Sequence, residues 1–144
     1  MNIVKILPTS SNFQMPSKAH LSDAGFDLKS VENVVINPGR RAMVDAGFKM
    51  QLPEGFEAQI RPRSGNAIKL GLSVINSPGT VDQGFTGNIK VLLVNLGQEP
   101  ITINIGDKIA QMVIKEVPQV TLELTDTVDS TDRGEKGFGS SGNN

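Results

Sequence analysis

Punctuation is what most restricts this chain, because Pro and Gly recur in clusters that stop any long regular element. Turn chemistry sits at Asn37-Pro38-Gly39, Pro53-Glu54-Gly55, Ser77-Pro78-Gly79, Gln98-Glu99-Pro100 and Ile105-Gly106-Asp107. The runs between them are rich in Ile and Val, which suit a pleated, half-buried surface. Residues 2–7, 31–36, 41–51, 56–61, 88–96, 101–105, 108–117 and 120–124 read as strands. Ile101, Ile103 and Ile105 alternate with Thr102 and Asn104, the period-2 mark of a strand with one wet face. Val91-Leu92-Leu93-Val94 lacks that alternation and predicts a strand buried on both faces. Helix is confined to a turn or two over residues 64–70, bracketed by Gly65 and Gly71. Many short strands at this spacing predict an all-β protein: a sandwich, jelly roll or barrel.

The 144 residues fit one domain with a sizeable core. There is no Cys and one His, His20, so thiolate zinc, a cysteine nucleophile and multi-histidine metal sites are excluded together. Any metal must be a hard cation held by oxygen, such as Mg²⁺. Fourteen basic against fifteen acidic residues give a net charge of −1, with no basic stripe to grip a nucleic-acid backbone. The longest aliphatic run, residues 91–94, is far short of a membrane span, and no signal-peptide pattern opens the chain. The expectation is a soluble, cytoplasmic protein or one of another reducing compartment. It has no membrane or nucleic-acid partner. Residues 1–124 read as the β domain and residues 125–144 as a flexible arm, since the latter hold four glycines and only Val128 and Phe138 as large apolar side chains.

Several short constellations carry chemistry. Arg61-Pro62-Arg63-Ser64-Gly65 follows a strand and opens the one helical turn. Ser64 fits an N-cap, and equally an anion site in which free N–H groups, a hydroxyl and Arg63 meet a polyphosphate. Asp27, in Ala24-Gly25-Phe26-Asp27-Leu28, is either a strand-end residue or a carboxylate for Mg²⁺. Residues 76–87 read as a hairpin in which Asp82 and Gly84 serve a turn, or in which Asp82 is a general base and Phe85 a stacking wall. His20 reads as a solvated loop residue. Gln111 is the one polar side chain in residues 109–114. In the tail, Lys136-Gly137-Phe138-Gly139-Ser140 with Arg133 upstream is either a disordered end or a ligand clamp.

In this order the set resembles the five motifs of the trimeric deoxyuridine triphosphatase family. They are Ala24 to Leu28, Pro62 to Gly65, Gly79 to Asp82 with Phe85 and Gly87, Gly106 to Gln111, and Arg133 to Ser140. The resemblance implies a β-clip, or distorted jelly-roll, subunit in a homotrimer with three shared active sites. The implied reaction is dUTP plus water to dUMP and pyrophosphate, assisted by Mg²⁺, which limits uracil entry into DNA and supplies dUMP for thymidylate synthesis. By resemblance Asp82 is the catalytic base, and Arg63, Ser64, Gly65 and Gln111 hold the phosphates. Asn76 with the Gly79, Thr80 and Val81 backbone reads uracil, Phe85 backs the sugar, and Lys90 contacts substrate. Arg133, Phe138, Gly139 and Ser140 close over the ligand from a neighbouring subunit. Asp27 meets Mg²⁺ through water, the ion being held mainly by the triphosphate.

Two positions depart from the family pattern: Phe85 stands where Tyr is usual, and Lys136 where Gly is usual. The related deoxycytidine triphosphate deaminases share the fold and place a catalytic Glu where this chain has Leu92, which cannot shuttle a proton. A non-enzymatic trimeric nucleotide-binding module is the third reading, and its mark would be loss of Asp82 or of the tail motif.

Overall fold

A computed structural model describes residues 2–142; Met1 and the last two residues of the expected arm lie outside the described residues. The strands are β1 (Lys5–Pro8), β2 (Phe26–Lys29), β3 (Val34–Ile36), β4 (Arg41–Asp45), β5 (Phe48–Gln51) and β6 (Phe56–Arg61). After helix α1 (Ser64–Leu70) come β7 (Leu72–Val74), β8 (Gly79–Val81), β9 (Lys90–Asn95), β10 (Ile101–Ile103) and β11 (Lys108–Glu116). The protein is all-β with one short helix, as its punctuation predicts, and of the β-clip or jelly-roll class that the resemblance implies.

Four sheets share the core: β1-β5, β10-β3, β2-β11-β6-β8 and β4-β9-β7. Leu28, Ile36, Val44, Phe48, Ile89, Val91, Leu93 and Ile109 are essentially inaccessible and come from six different strands and one loop. Burying each such side chain stabilises the fold by roughly 1.5–3 kcal/mol. Asn95 is, with Ser30, one of the two buried polar exceptions among the described residues. Its amide donates to the carbonyls of Ile36 and Glu99, both at 2.8 Å, and its carbonyl accepts from the Gly97 N–H at 2.8 Å.

The expected single strand over residues 41–51 is two strands in two sheets. Gly47 makes the corner: its φ is +81°, and a Cβ there would stand 2.4 Å from Val31 Cγ1. Its N–H donates to Asp45 Oδ1 at 2.7 Å, closing the turn. A periodicity reading cannot see this, because Ala46 and Gly47 leave the hydrophobic pattern on either side intact.

β9 is buried on both faces only toward its end, at Leu93 and Val94. Val91 and Leu93 point into the core, whereas Leu92 is 36% exposed and lies opposite the exposed Met43 of β4. The apolar outer face simply has no layer over it within one chain. Residues 76–87 also do not form a two-strand hairpin, since β8 pairs with β6 while β7 pairs with β9. The segment crosses from one sheet to the other.

Residues 120–124, read from sequence as a strand, form none. They follow Pro118 and find no ladder partner, leaving Val120, Leu122 and Leu124 exposed. From residue 117 to residue 142 no helix or strand is present, and every residue but Gly137 is exposed. No helix of the described residues is long and apolar enough to cross a membrane.

Candidate functional site

The antiparallel register of β11 draws three distant segments together. Gln111 faces Asp27 of β2 on one side and Arg61 of β6 on the other, so the residues after β6 arrive beside Asp27. The Arg63 Nε–H donates to Asp27 Oδ1 at 3.0 Å, and Lys108 Nζ forms an ion pair with Asp27 Oδ2 at 3.1 Å. Asp27 is mostly buried, with both cations more exposed than it is. One carboxylate thus orients two cations and leaves the trio with a net positive charge. The Gln111 side-chain amide donates to the Pro62 carbonyl at 2.9 Å and pins the turn that carries Arg63 and Ser64.

Asp27, Arg63 and Gln111 line an open cavity of about 310 Å³ with Asp23, Gly25, Ser64 and Gly65. Ser64 is not the helix cap. Arg63 occupies that position with extended backbone and makes no side-chain capping bond, while Ser64 is the first helical residue. The Arg63 side chain is directed to Asp27, across the sheet rather than back along the helix.

Gly25 is glycine for want of space. A Cβ would lie 2.4 Å from Gln111 Oε1 and 3.0 Å from Gln111 Cβ. Gly25→Ala should therefore displace the Gln111 amide from Pro62, at a cost of about 1–3 kcal/mol in stability. Urea denaturation of the two proteins checks this, and an unchanged midpoint and slope would mean Gln111 relaxes freely.

A second group lies around β8 and β9. Asn76, Gly79, Thr80, Val81, Lys90 and Leu92 line a small cavity of about 70 Å³. The Asn76 amide packs over Gly79, where a Cβ would stand 3.3 Å from its Nδ2. Beyond the buried Val81 comes exposed Asp82, whose carbonyl accepts from the Phe85 N–H at 3.0 Å to form a turn. The tip of that turn is tied down, since Gln83 Oε1 accepts from the Gly55 N–H at 3.0 Å. Phe85 is half-exposed.

The third group is the arm. Arg133 Nε–H donates to the Lys136 carbonyl at 2.7 Å, and Phe138 is fully exposed at φ 49°, followed by Gly139 at φ 86°. Among the described residues no hydrogen bond or ion pair joins this segment to the body. His20 sits in an exposed turn closed by its own N–H to Asp23 Oδ2 at 2.9 Å.

The expected site residues therefore fall into three separate places on one chain. Sequence reasoning gave no role to Lys108, Gln83 or Asn66, whose amide donates to the Lys108 carbonyl at 3.0 Å. No local pattern distinguishes these from ordinary surface polar residues. Only the register of β11 and the proximity of two turns do.

Among the described residues no group of three or more His, Asp or Glu is placed to hold a metal ion. Both oxygens of Asp27 are already engaged by cations. These residues alone do not make a Mg²⁺ site, and the oxygens around such an ion must come chiefly from a ligand.

Comparison with known proteins agrees with this arrangement. The dUTPase family model matches residues 11–142. A deoxyuridine 5'-triphosphate nucleotidohydrolase of Clostridium kluyveri is 52% identical over 128 residues, 89% of this chain and 90% of that protein. Its counterpart in Clostridium novyi is 48% identical over 143 residues, 96% of this chain and 99% of the other. Among solved structures, the Staphylococcus bacteriophage 80alpha dUTPase with dUPNHPP superposes with a TM-score of 0.91 at 29% identity, covering 99% of both chains. A dUTPase mutant from phage phi11 of S. aureus, described for its structural Mg(II) ion, superposes with a TM-score of 0.82 at 26% identity, covering 90% of this chain and all of that one. With a family match over nearly its whole length and relatives this similar along the same stretch, the chain belongs to the dUTPase family.

Proposed function

We propose that this protein hydrolyses dUTP to dUMP and pyrophosphate in sites completed by more than one copy of the chain. The observation that carries the reading is the division of labour in a single subunit. One cavity presents Arg63, Ser64, Gly65 and Gln111 for an anion, while Asp82 and Phe85 stand exposed elsewhere. A homotrimer brings the second group of one subunit to the first group of the next. The unpaired residues 120–124 and the open apolar face at Met43 and Leu92 support assembly, because they cover nothing within one chain.

In the assembled site Arg63 and the Ser64 hydroxyl bind phosphate oxygens, with Asp27, itself paired with Lys108, fixing the guanidinium. Gln111 holds the loop that presents them. Asn76 and the backbone of Gly79, Thr80 and Val81 form the uracil pocket, Phe85 lies against deoxyribose, and Lys90 contacts the substrate at the pocket rim. Asp82 accepts a proton from the attacking water as its oxygen bonds the α-phosphorus. The bond from that phosphorus to the bridging oxygen breaks, and pyrophosphate leaves. A lone carboxylate is a weak base, so positioning and charge neutralisation supply most of the acceleration. Mg²⁺ enters on the triphosphate as part of the substrate, and any contact with Asp27 runs through water. The flexible arm, residues 125–144, brings Arg133, Phe138, Gly139 and Ser140 over the bound ligand. The setting is the cytoplasm, where nucleotides are made.

Leu92 lines the second cavity and offers no proton-transfer group there, which disfavours deamination of dCTP. Pyrophosphate release measured across dUTP, dTTP, dCTP and UTP with Mg²⁺ tests the reading. A 5-methyl group in a filled pocket costs about 1–3 kcal/mol. dUTP should thus exceed dTTP in kcat/KM by roughly 10–100-fold. Equal values would remove the uracil pocket, ammonia from dCTP would restore the deaminase, and no hydrolysis at all would leave a binding module.

A further inference from the structure

We propose that Gly87 is the positioning residue for the Phe85 ring, and through it sets the fit of the sugar. This rests on the dUTP reading above. A Cβ at Gly87 would lie 2.7 Å from Phe85 Cζ, 3.0 Å from Cε1 and 3.4 Å from Cε2. The ring tip therefore fills the place a side chain at Gly87 would take, and such a Cβ would stand far inside the ~3.5–4.0 Å separation two carbons prefer. Gly87 is not among the residues with positive φ, so space rather than backbone conformation requires glycine there.

Phe85 has no hydroxyl, and so no side-chain hydrogen bond can orient its ring. Packing alone must do so. Its main chain is fixed by the turn to Asp82 and by the tie between Gln83 and Gly55. Its other side is open, with 47% of the residue exposed. A methyl at Gly87 therefore moves the ring tip and not the backbone. The displacement runs away from Gly87, into the space the sugar would occupy. Gly84, in the same turn, has nothing within 4 Å of its would-be Cβ and serves as the control.

Steady-state kinetics on wild type, Gly87→Ala, Gly84→Ala, Phe85→Ala and the Phe85→Ala/Gly87→Ala pair test this, with thermal unfolding recorded for each. Gly87→Ala should raise KM for dUTP about 10-fold and hold kcat within about 3-fold, the signature of altered ground-state fit. Gly84→Ala should change KM less than about 2-fold, and Gly87→Ala should add less than about 2-fold when the ring is already gone, as a coupled pair requires. An unchanged KM in Gly87→Ala overturns the proposal. So does an equal loss with and without the ring, which would assign the effect to the backbone. Failure of the dUTP reading is read separately, from an inactive wild type.

Discussion

Replacing Asp82 with asparagine should lower kcat by roughly 10²–10⁴-fold while KM for dUTP stays within a few-fold. The carboxylate is exposed at the end of β8, one residue beyond the buried Val81, and makes no ion pair among the described residues. Its backbone carbonyl, not its side chain, closes the turn to Phe85. Asparagine keeps the shape and that turn but cannot take a proton from water. Thermal unfolding should be unaltered, separating chemistry from folding. In the proposed site Asp82 has no role in anchoring phosphate, which falls to Arg63 and Ser64 in a separate cavity of the subunit. Single-turnover measurement of pyrophosphate release distinguishes the two parameters, and near-normal turnover would show that another group activates the water.

Truncation after Asp132 should reduce kcat/KM for dUTP by about 10²–10³-fold and leave dUMP affinity nearly unchanged. That range corresponds to one or two charge-assisted hydrogen bonds of about 1.5–3 kcal/mol each, together with an aromatic stack. The removed residues include Arg133, Phe138 and Ser140, none of which touches the body through a hydrogen bond in the described residues. Subunit stability should not change, because nothing in that segment is buried. Ordering some ten residues costs on the order of 10 kcal/mol in backbone freedom, so closure needs the full triphosphate to drive it. Because the chain has no Trp and no Tyr, Phe138→Trp is a fluorophore without background. Its emission should change with a non-hydrolysable dUTP analogue and Mg²⁺, and return with dUMP. Full activity of the truncated enzyme, or emission indifferent to nucleotide, would make the segment a plain disordered end.

The site was legible in sequence as chemistry and not as geometry. Arg63, Ser64, Asp27 and Asp82 stand out because their residue types match what a triphosphate and its hydrolysis require. Their partners do not. Lys108 reads as one more charged residue at a strand start, and only the pairing of β11 with β2 places its ammonium on Asp27. Ser64 has the right type for a cap, yet Arg63 takes the cap position and Ser64 is the first helical residue.

What the sequence alone determined is the kind of protein this is. Its turn spacing forbids long helices, its Ile and Val runs demand sheets, and its five ordered motifs carry the chemistry of one family. Those signals are local, and residue type and period are sufficient to read them. Only the tertiary structure decided which strands share a sheet. It split residues 41–51 at Gly47, sent β8 to β6 rather than to β9, and left residues 120–124 unpaired. Strand partnership is a long-range choice made by packing and by single close approaches such as Gly47 on Val31, and no window of neighbouring residues contains the atoms that decide it.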